Sequence, residues 1–356
     1  MNAGKILTGL IILTILLISI AACAPAPTAT PLPPTVAPTK APTVAATTAP
    51  TQAATAVPIP APTAASQSSS QTSSQASSAM PITVTDSAKR SVTISAPPKR
   101  IVSLAPSTTE IAFALGLGDR IVGADTYSDY PADAKKVATI KSFPVNYEQV
   151  VSLKPDLVLA AGITNADDVK KLADLKLTVL VVGSTKMTFD AVAADITVVA
   201  KATGTEAQAK PVIDAMKSKV DALKSKLANA KTKPRVYWEL DATDPAKPFT
   251  PGPGSFVDDL ITLAGGVNVA ADVKTPYAQI NAEQIIAANP DIIILSDFAY
   301  GITVESVKAR KGWSVINAIK NDKVFPIDDN LVSRPGPRLV DGLEAAAKLI
   351  HPEVFQ

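Results

Sequence analysis

Hydrophobic positions divide this chain into three stretches with different periods. Residues 6–20 are apolar throughout except at Thr8, Gly9, Thr14 and Ser19. Residues 24–80 mix Pro, Thr, Ala and Ser with no helix or strand period and no aromatic side chain. From Pro81 onward, short β-branched runs alternate with helix-period segments. That is the pattern of an α/β fold, with mostly parallel sheets covered by helices on both faces.

In the third stretch, residues 92–94 alternate with polar neighbours and read as an edge strand, and residues 100–104 (Arg-Ile-Val-Ser-Leu) read as a short buried one. Ala105-Pro106-Ser107 turns into a helix. Ser107 and Glu110 have capping-box spacing, which assigns Glu110 to the helix start, and Gly116 and Gly118 end the helix. Further strands follow at 121–124, 157–161 and 179–182.

An internal repeat then appears. Asn146-Tyr-Glu148-Gln-Val leads through Lys154-Pro155-Asp156 to an apolar strand, and Asn281-Ala-Glu283-Gln-Ile leads through Asn289-Pro290-Asp291 to another, always 135 positions later. Each copy predicts an Asn-capped short helix, a Pro stop and a strand, hence two similar lobes. Between the copies, residues 206–230 place Val212, Ile213, Met216, Val220, Leu223 and Leu227 at helix spacing. Pro211 marks either a kink or the true start. One long helix of this kind makes a stiff connection between lobes.

The front of the chain reads as an address. Lys5 precedes the apolar run, and Ile20-Ala-Ala-Cys23 resembles the bacterial lipobox, making residues 1–22 a lipoprotein signal peptide and Cys23 the lipidated residue. An apolar run of about 15 residues is short for a membrane span of about 20. Residues 23–80 then form a Pro/Thr/Ser-rich tether, disordered because it has too little apolar surface to offset ordering entropy. The remaining boundaries are an N-terminal lobe at 81–204, a linking helix at 205–232 and a C-terminal lobe at 233–356.

Charge and residue counts exclude several functions. Lys5 and Lys40 are the only charged side chains before Asp86, and they account for the whole net charge of +2. A neutral remainder argues against nucleic-acid binding. A single His (His351) and a single Cys argue against a His-based triad, a metal cage or a CxxC pair. No nucleotide-binding or hydrolase motif is present; Gly116-Leu-Gly118 fails the dinucleotide fingerprint because Ile121 stands at the third glycine position.

Residues 100–111, Tyr127-Ser-Asp-Tyr-Pro131, 148–159, Pro248-Phe-Thr250 with Leu263-Ala-Gly-Gly-Val-Asn268, and Arg334-Pro-Gly-Pro-Arg338 together resemble the binding components of ABC importers for cobalamin, ferric siderophores and haem, and most closely the cobalamin-binding members. The resemblance implies two α/β lobes bridged by a backbone helix with a ligand cleft between them. It implies a non-enzymatic monomer on the outer face of the cell membrane, partnered by a permease dimer with its ATPase subunits. No cofactor is implied; any cobalt or iron arrives in the ligand. By the same resemblance, Glu148 and Glu283 dock on the permease, one per lobe. The corresponding physical alternative is stabilisation of each helix start by an acidic side chain.

Tyr127, at the end of the strand at 121–125, lies by resemblance against the ligand macrocycle, with Phe143 and Tyr277 as further flat contacts. Arg334, Arg338, Asp328 and Asp329 are candidates for ligand amides or carboxylates, and Phe249, residues 251–254 and Trp238 shape the rim of the second lobe. Core packing is the ordinary use of such aromatics. Two rivals to corrinoid capture remain: the same role for a ferric siderophore or haem, and a surface scaffold or adhesion lipoprotein. A deep cleft lined with aromatics would favour binding, and a flat interface would favour scaffolding.

Overall fold

Alternation of side chains along the central strands sets the layering of the molecule. The computed structural model describes residues 81–183 and 188–356; the signal segment, Cys23 and the 23–80 tether lie outside the described residues. β1 (Ile82–Thr85) and β2 (Ser91–Ile94) pair as an antiparallel hairpin. The hairpin docks on the edge of the first sheet, where Ser87 N–H donates to the Val181 carbonyl at 3.0 Å. β3 (Ile101–Ser103), β4 (Ile121–Asp125), β5 (Ala138–Ile140), β6 (Leu157–Ala161) and β7 (Val179–Val182) form that sheet, all parallel, in the order β5-β4-β3-β6-β7. Its helices are α1 (Pro106–Ala114), α2 (Tyr147–Ser152), α3 (Ala166–Asp174) and α4 (Phe189–Thr203).

α5 (Glu206–Leu227) leads into the second half. There β8 (Arg235–Glu239), β9 (Phe249–Pro251), β10 (Val267–Asn268), β11 (Tyr277–Gln279), β12 (Ile292–Leu295) and β13 (Val324–Pro326) divide into a parallel sheet of order β10-β8-β12-β13 and an antiparallel β11–β9 pair. α6 (Phe256–Leu263), α7 (Ala282–Ala288), α8 (Val304–Lys308), α9 (Asn317–Lys320), α10 (Asp329–Val332) and α11 (Leu339–Ile350) complete it.

The strands are buried on both faces, and period 2 sorts their side chains. Ile101, Leu157 and Leu159 of the first sheet, with Val236, Trp238, Ile292 and Ile294 of the second, belong to one continuous core. Val102, Val158 and Ala160 point to a separate outer core in the first half. Tyr237, Ile293 and Leu295 do the same in the second. Between the sheets lies a helical layer that supplies Ile111 and Leu115 from α1, Ile196 and Val199 from α4, Met216, Val220 and Leu223 from α5, Leu260 from α6, and Leu343 and Ala347 from α11. The lobes therefore share a hydrophobic interior of five helices, and α5 is one member of it rather than a lone strut.

Both copies of the repeat have the expected caps. The Asn146 side chain accepts from Gln149 N–H, and that of Asn281 from Gln284 N–H, the latter within a full capping box. Two expectations are corrected. α1 has no capping box: its N-cap is Ala105, with Pro106 at the first helical position and no side-chain cap. A proline there is already set to helical φ and lacks the N–H that a cap would satisfy, so Ser107 and Glu110 fall inside the helix and are buried. Pro211 is not the start of α5, which runs through it from Glu206.

Candidate functional site

Parallel strands of both halves end at the same cleft. Just past β6 and β7, Gly162, Ile163 and Gly183 face Leu240, which follows β8, together with Phe256, Val257, Tyr277, Ser333 and Pro335. They enclose a mostly apolar inter-lobe cavity of about 290 Å³. Gly162 is required by close approach, since a Cβ there would meet the Gly183 carbonyl oxygen at 2.1 Å. Carboxyl ends of parallel strands are where α/β folds place ligands.

One residue organises the loops that follow β4 and β5. Asp125, at the end of β4, accepts the Tyr127 amide at 2.9 Å and the hydroxyl of Ser142, which holds the segments carrying Tyr127 and Phe143. Both rings stand in solvent, Tyr127 at 70% and Phe143 at 88% exposure. From beneath, Thr109 of α1 bonds Ser103 Oγ and Ser128 Oγ, each at 2.8 Å, so Ser128 anchors the 126–131 loop to the helix start. Thr108 and Thr109 both donate to the Ala105 carbonyl.

On the opposite wall, Tyr277 lines the cavity, and Phe249 is half-exposed one strand away in the β9–β11 pair. Asp329 accepts the Ser333 hydroxyl and the Tyr300 hydroxyl, the latter at 3.3 Å. The Asp329 charge raises the Tyr300 phenol above its ordinary range, and Tyr127, which belongs to the other lobe, adds to that rise while Arg334 opposes it. Tyr127, Tyr300, Asp329 and Arg334 thus share one electrostatic neighbourhood. Asp328 caps α10 through its bond to Asn330 N–H.

The arginines of the 334–338 turn reach across the lobes. Arg338 Nε and Nη2 donate to the two oxygens of Glu110 at 3.0 and 2.6 Å. Its guanidinium lies 3.7 Å from the centroid of the Tyr130 ring. Arg334 donates to Asp129 and stands 3.9 Å from Glu110. Burial pushes the Glu110 carboxyl above its usual value, and the hydrogen bonds and charge of Arg338 restrain the rise. Sequence reasoning assigned Glu110 to a cap and passed over Asp129 and Tyr130, although both lie within the Tyr127–Pro131 motif. Tyr300 and Phe298, exposed on the segment after β12, carried no sequence signal beyond being aromatic.

Three other candidates fall away from the cavity. Trp238, expected at the rim, is fully buried, and its Nε1 donates to Ser296 Oγ at 3.2 Å; its side chain belongs to the core shared by the two sheets and has no route to the surface. Glu148 and Glu283 are exposed in the first turns of α2 and α7. Below the Phe298–Tyr300 segment, Asp297 is buried with Oδ2 on the Ala242 amide, while Oδ1 has no partner among the described residues. Burial first, then the nearby charge of Glu239, raises its pKa to about 7.

Two facing parallel sheets with a shared helical layer and an apolar inter-lobe cavity at their strand ends define a two-lobed solute receptor. Residues 101–331 match the sequence profile of the periplasmic binding protein family. Over 78% of its length the chain is 39% identical to the uncharacterised ABC transporter substrate-binding lipoprotein YvrC of Bacillus subtilis, 87% of which is covered. It is also similar to a possible iron-binding periplasmic solute-binding protein of Staphylococcus epidermidis, at 31% identity and a TM-score of 0.64 over 72% of this chain and 100% of that one. The periplasmic vitamin B12-binding protein BtuF of Vibrio cholerae is similar at 28% identity and a TM-score of 0.62, over 73% and 99%. The chain belongs to the periplasmic binding protein family, whose members bind solutes for transport and are not enzymes.

Proposed function

We propose that this chain is the membrane-anchored substrate-binding component of an ABC importer, and that it captures a corrinoid in the inter-lobe cleft and delivers it to the permease. The observation that carries this reading is the cleft itself: an apolar cavity between lobes, lined by Gly162, Ile163 and Gly183 from one and by Leu240, Phe256 and the exposed Tyr277 from the other. Exposed aromatic rings suit a flat macrocycle, which offers large apolar contact with defined geometry. Tyr127, Phe143, Tyr277 and Phe249 supply faces for it, and Asp329 and Arg334 border its polar edge. The similarity to the vitamin B12-binding protein supports the corrinoid. Similarity to the iron-binding protein supports a second reading, a ferric siderophore or haem in the same cleft.

Delivery uses Glu148 and Glu283. Each stands in the first turn of a short helix that runs into a parallel strand, so each faces the carboxyl side of its sheet, where the cleft opens. Neither carboxylate has an ion-pair partner among the described residues, leaving both for basic pockets on a two-subunit permease. An exposed ion pair contributes only about 0–1 kcal/mol, which suits reversible docking. Lipidation at Cys23 and the 23–80 tether would hold the receptor at the outer face of the membrane.

The test is a calorimetric titration of the purified protein with cyanocobalamin, haem and a ferric siderophore in parallel. Sub-micromolar cyanocobalamin binding, about −8 kcal/mol or stronger, is the expected result. Binding of an iron complex alone would replace the corrinoid by the second reading, and silence with all three would return the cleft to the scaffold alternative.

A further inference from the structure

Four charged groups at the Tyr127 side of the cleft are already matched to one another. Arg338 spends its fork on Glu110 and its face on Tyr130. Arg334 spends its charge on Asp129, with Glu110 behind it. Asp329 adds a third carboxylate to this end, engaged among the described residues by the neutral hydroxyls of Ser333 and Tyr300. Three carboxylates therefore face two guanidinium groups. We propose that Asp129 and Glu110 are specificity-determining residues: by occupying the two cleft arginines they exclude an anionic ligand end and admit an uncharged, amide-bearing one. This deepens the reading of the cleft as the ligand site and rests on it.

The physical argument is one of displacement. A ligand carboxylate approaching Arg334 must first remove Asp129, and it would then stand beside Asp329 and the displaced aspartate. Like charges held together without new counter-ions act against that ligand, which is how a site rejects a competitor. A neutral amide can hydrogen-bond at the edges of these groups and leave both ion pairs intact. Burial raises the Asp129 carboxyl, but the hydrogen bond and charge of Arg334 outweigh it and hold the group below its ordinary range, so Asp129 is ionised throughout neutral pH. Glu110 and Asp129 differ in access. The Glu110 side chain is 2% exposed and that of Asp129 41%, so Asp129 is the counter-ion a ligand meets and the one to substitute.

Purified full-length protein in detergent, wild type and Asp129→Asn, is titrated with iron protoporphyrin IX, with its dimethyl ester and with cyanocobalamin. The two porphyrins share a shape and differ in the two propionate charges. The expected result is a wild type that binds the diester at least about threefold more tightly than the diacid, with the diacid-to-diester affinity ratio rising about fivefold or more in Asp129→Asn and cyanocobalamin affinity changed by less than about threefold. Asp129→Ala is the second variant should Asp129→Asn fold poorly, and Asp129→Asn with Arg334→Gln should abolish the gain. A wild type that binds the diacid as well as or better than the diester, or variants in which the ratio does not rise or neither porphyrin binds, would overturn the inference. A wild type that ignores cyanocobalamin while the porphyrin ratio shifts as expected would remove the corrinoid and leave the charge selectivity standing.

Discussion

Asp156 and Asp291 do the same work in the two halves of the molecule. Asp156 accepts the Arg100 amide at 2.9 Å and returns its own N–H to the Arg100 carbonyl. Asp291 accepts the Arg235 amide at 3.0 Å and returns its N–H to the Arg235 carbonyl. Each aspartate ties the start of one central strand to the start of its neighbour, directly after the short helix that carries Glu148 or Glu283. Each exposed glutamate thus sits on a short helix whose exit is tied to the central strands of its own lobe.

The glutamates' distance from the cavity lining makes delivery separable from capture. Replacing Glu148 and Glu283 by Lys should leave ligand affinity within about twofold, because neither residue lines the cavity, while uptake by cells carrying the cognate permease falls at least about tenfold. Single replacements should fall between. Equal loss of binding and uptake in the double variant would show that the glutamates act on the cleft instead.

The Glu110–Arg338 pair joins residues 228 positions apart and is a stability element. Glu110→Gln leaves Arg338 partly buried without its counter-ion, at a cost of about 3 kcal/mol. Adding Arg338→Met should recover at least half of that loss, since an apolar pair needs no compensation. Urea unfolding of the two single variants and the double gives the coupling directly; strictly additive losses would mean that the two side chains do not interact in solution.

Asp297 predicts a pH trend. Its folded value of about 7 stands above the ordinary unfolded value of about 3.9. The folded state therefore holds a proton that the unfolded state has released between these limits. Stability should decline as pH rises through that window, by up to about 1.4 kcal/mol per pH unit, and level off above it. Asp297→Asn removes this titration and places an amide donor near Glu239, so its stability should fall less steeply across the window than that of the wild type and lie above it at pH 8. Parallel curves for the two proteins would contradict this.

Gly162 sets how closely the loops after β6 and β7 approach. With its Cβ placed 2.1 Å from the Gly183 carbonyl oxygen, Gly162→Ala must displace backbone rather than a side chain, which costs about 1–3 kcal/mol. The expected outcome is a lower melting temperature together with weaker ligand binding, because both loops wall the cavity. Unchanged binding in a destabilised variant would move the ligand away from this wall.

A stiff connecting helix allows only a small lobe closure, and the structure supplies a stronger reason for it. Ile101 and Trp238 lie in one continuous core with Met216 and Leu343, so a large rotation would have to open apolar surface as well as bend α5. Solution scattering with and without ligand should show a change of only a few degrees; a rotation of tens of degrees would rule out the shared core as a restraint.

Local patterns were legible from the chain alone. Asn146 and Asn281 start helices, Pro155 and Pro290 stop them, the β-branched runs become β6 and β12, and Met216, Val220 and Leu223 form the buried stripe of α5. In each case the deciding interactions lie within a few residues of one another. Tyr127 was placed at a strand end by the same logic. What the chain could not reveal was any pairing of distant residues. Glu110 has the spacing of a cap, and only the arrival of Arg338 from the other lobe gives it a different partner. Trp238 and Tyr127 are both aromatic, yet Trp238, within β8, is sealed in the core shared by the two sheets, and Tyr127, in the loop past β4, stands in solvent. Arg334 reads as a free cation until Asp129, 205 positions away, is set beside it. Backbone preference and hydrophobic period act along the chain, whereas burial and ion pairing act through space, and so the elements were settled by sequence while the electrostatics of the cleft awaited the fold.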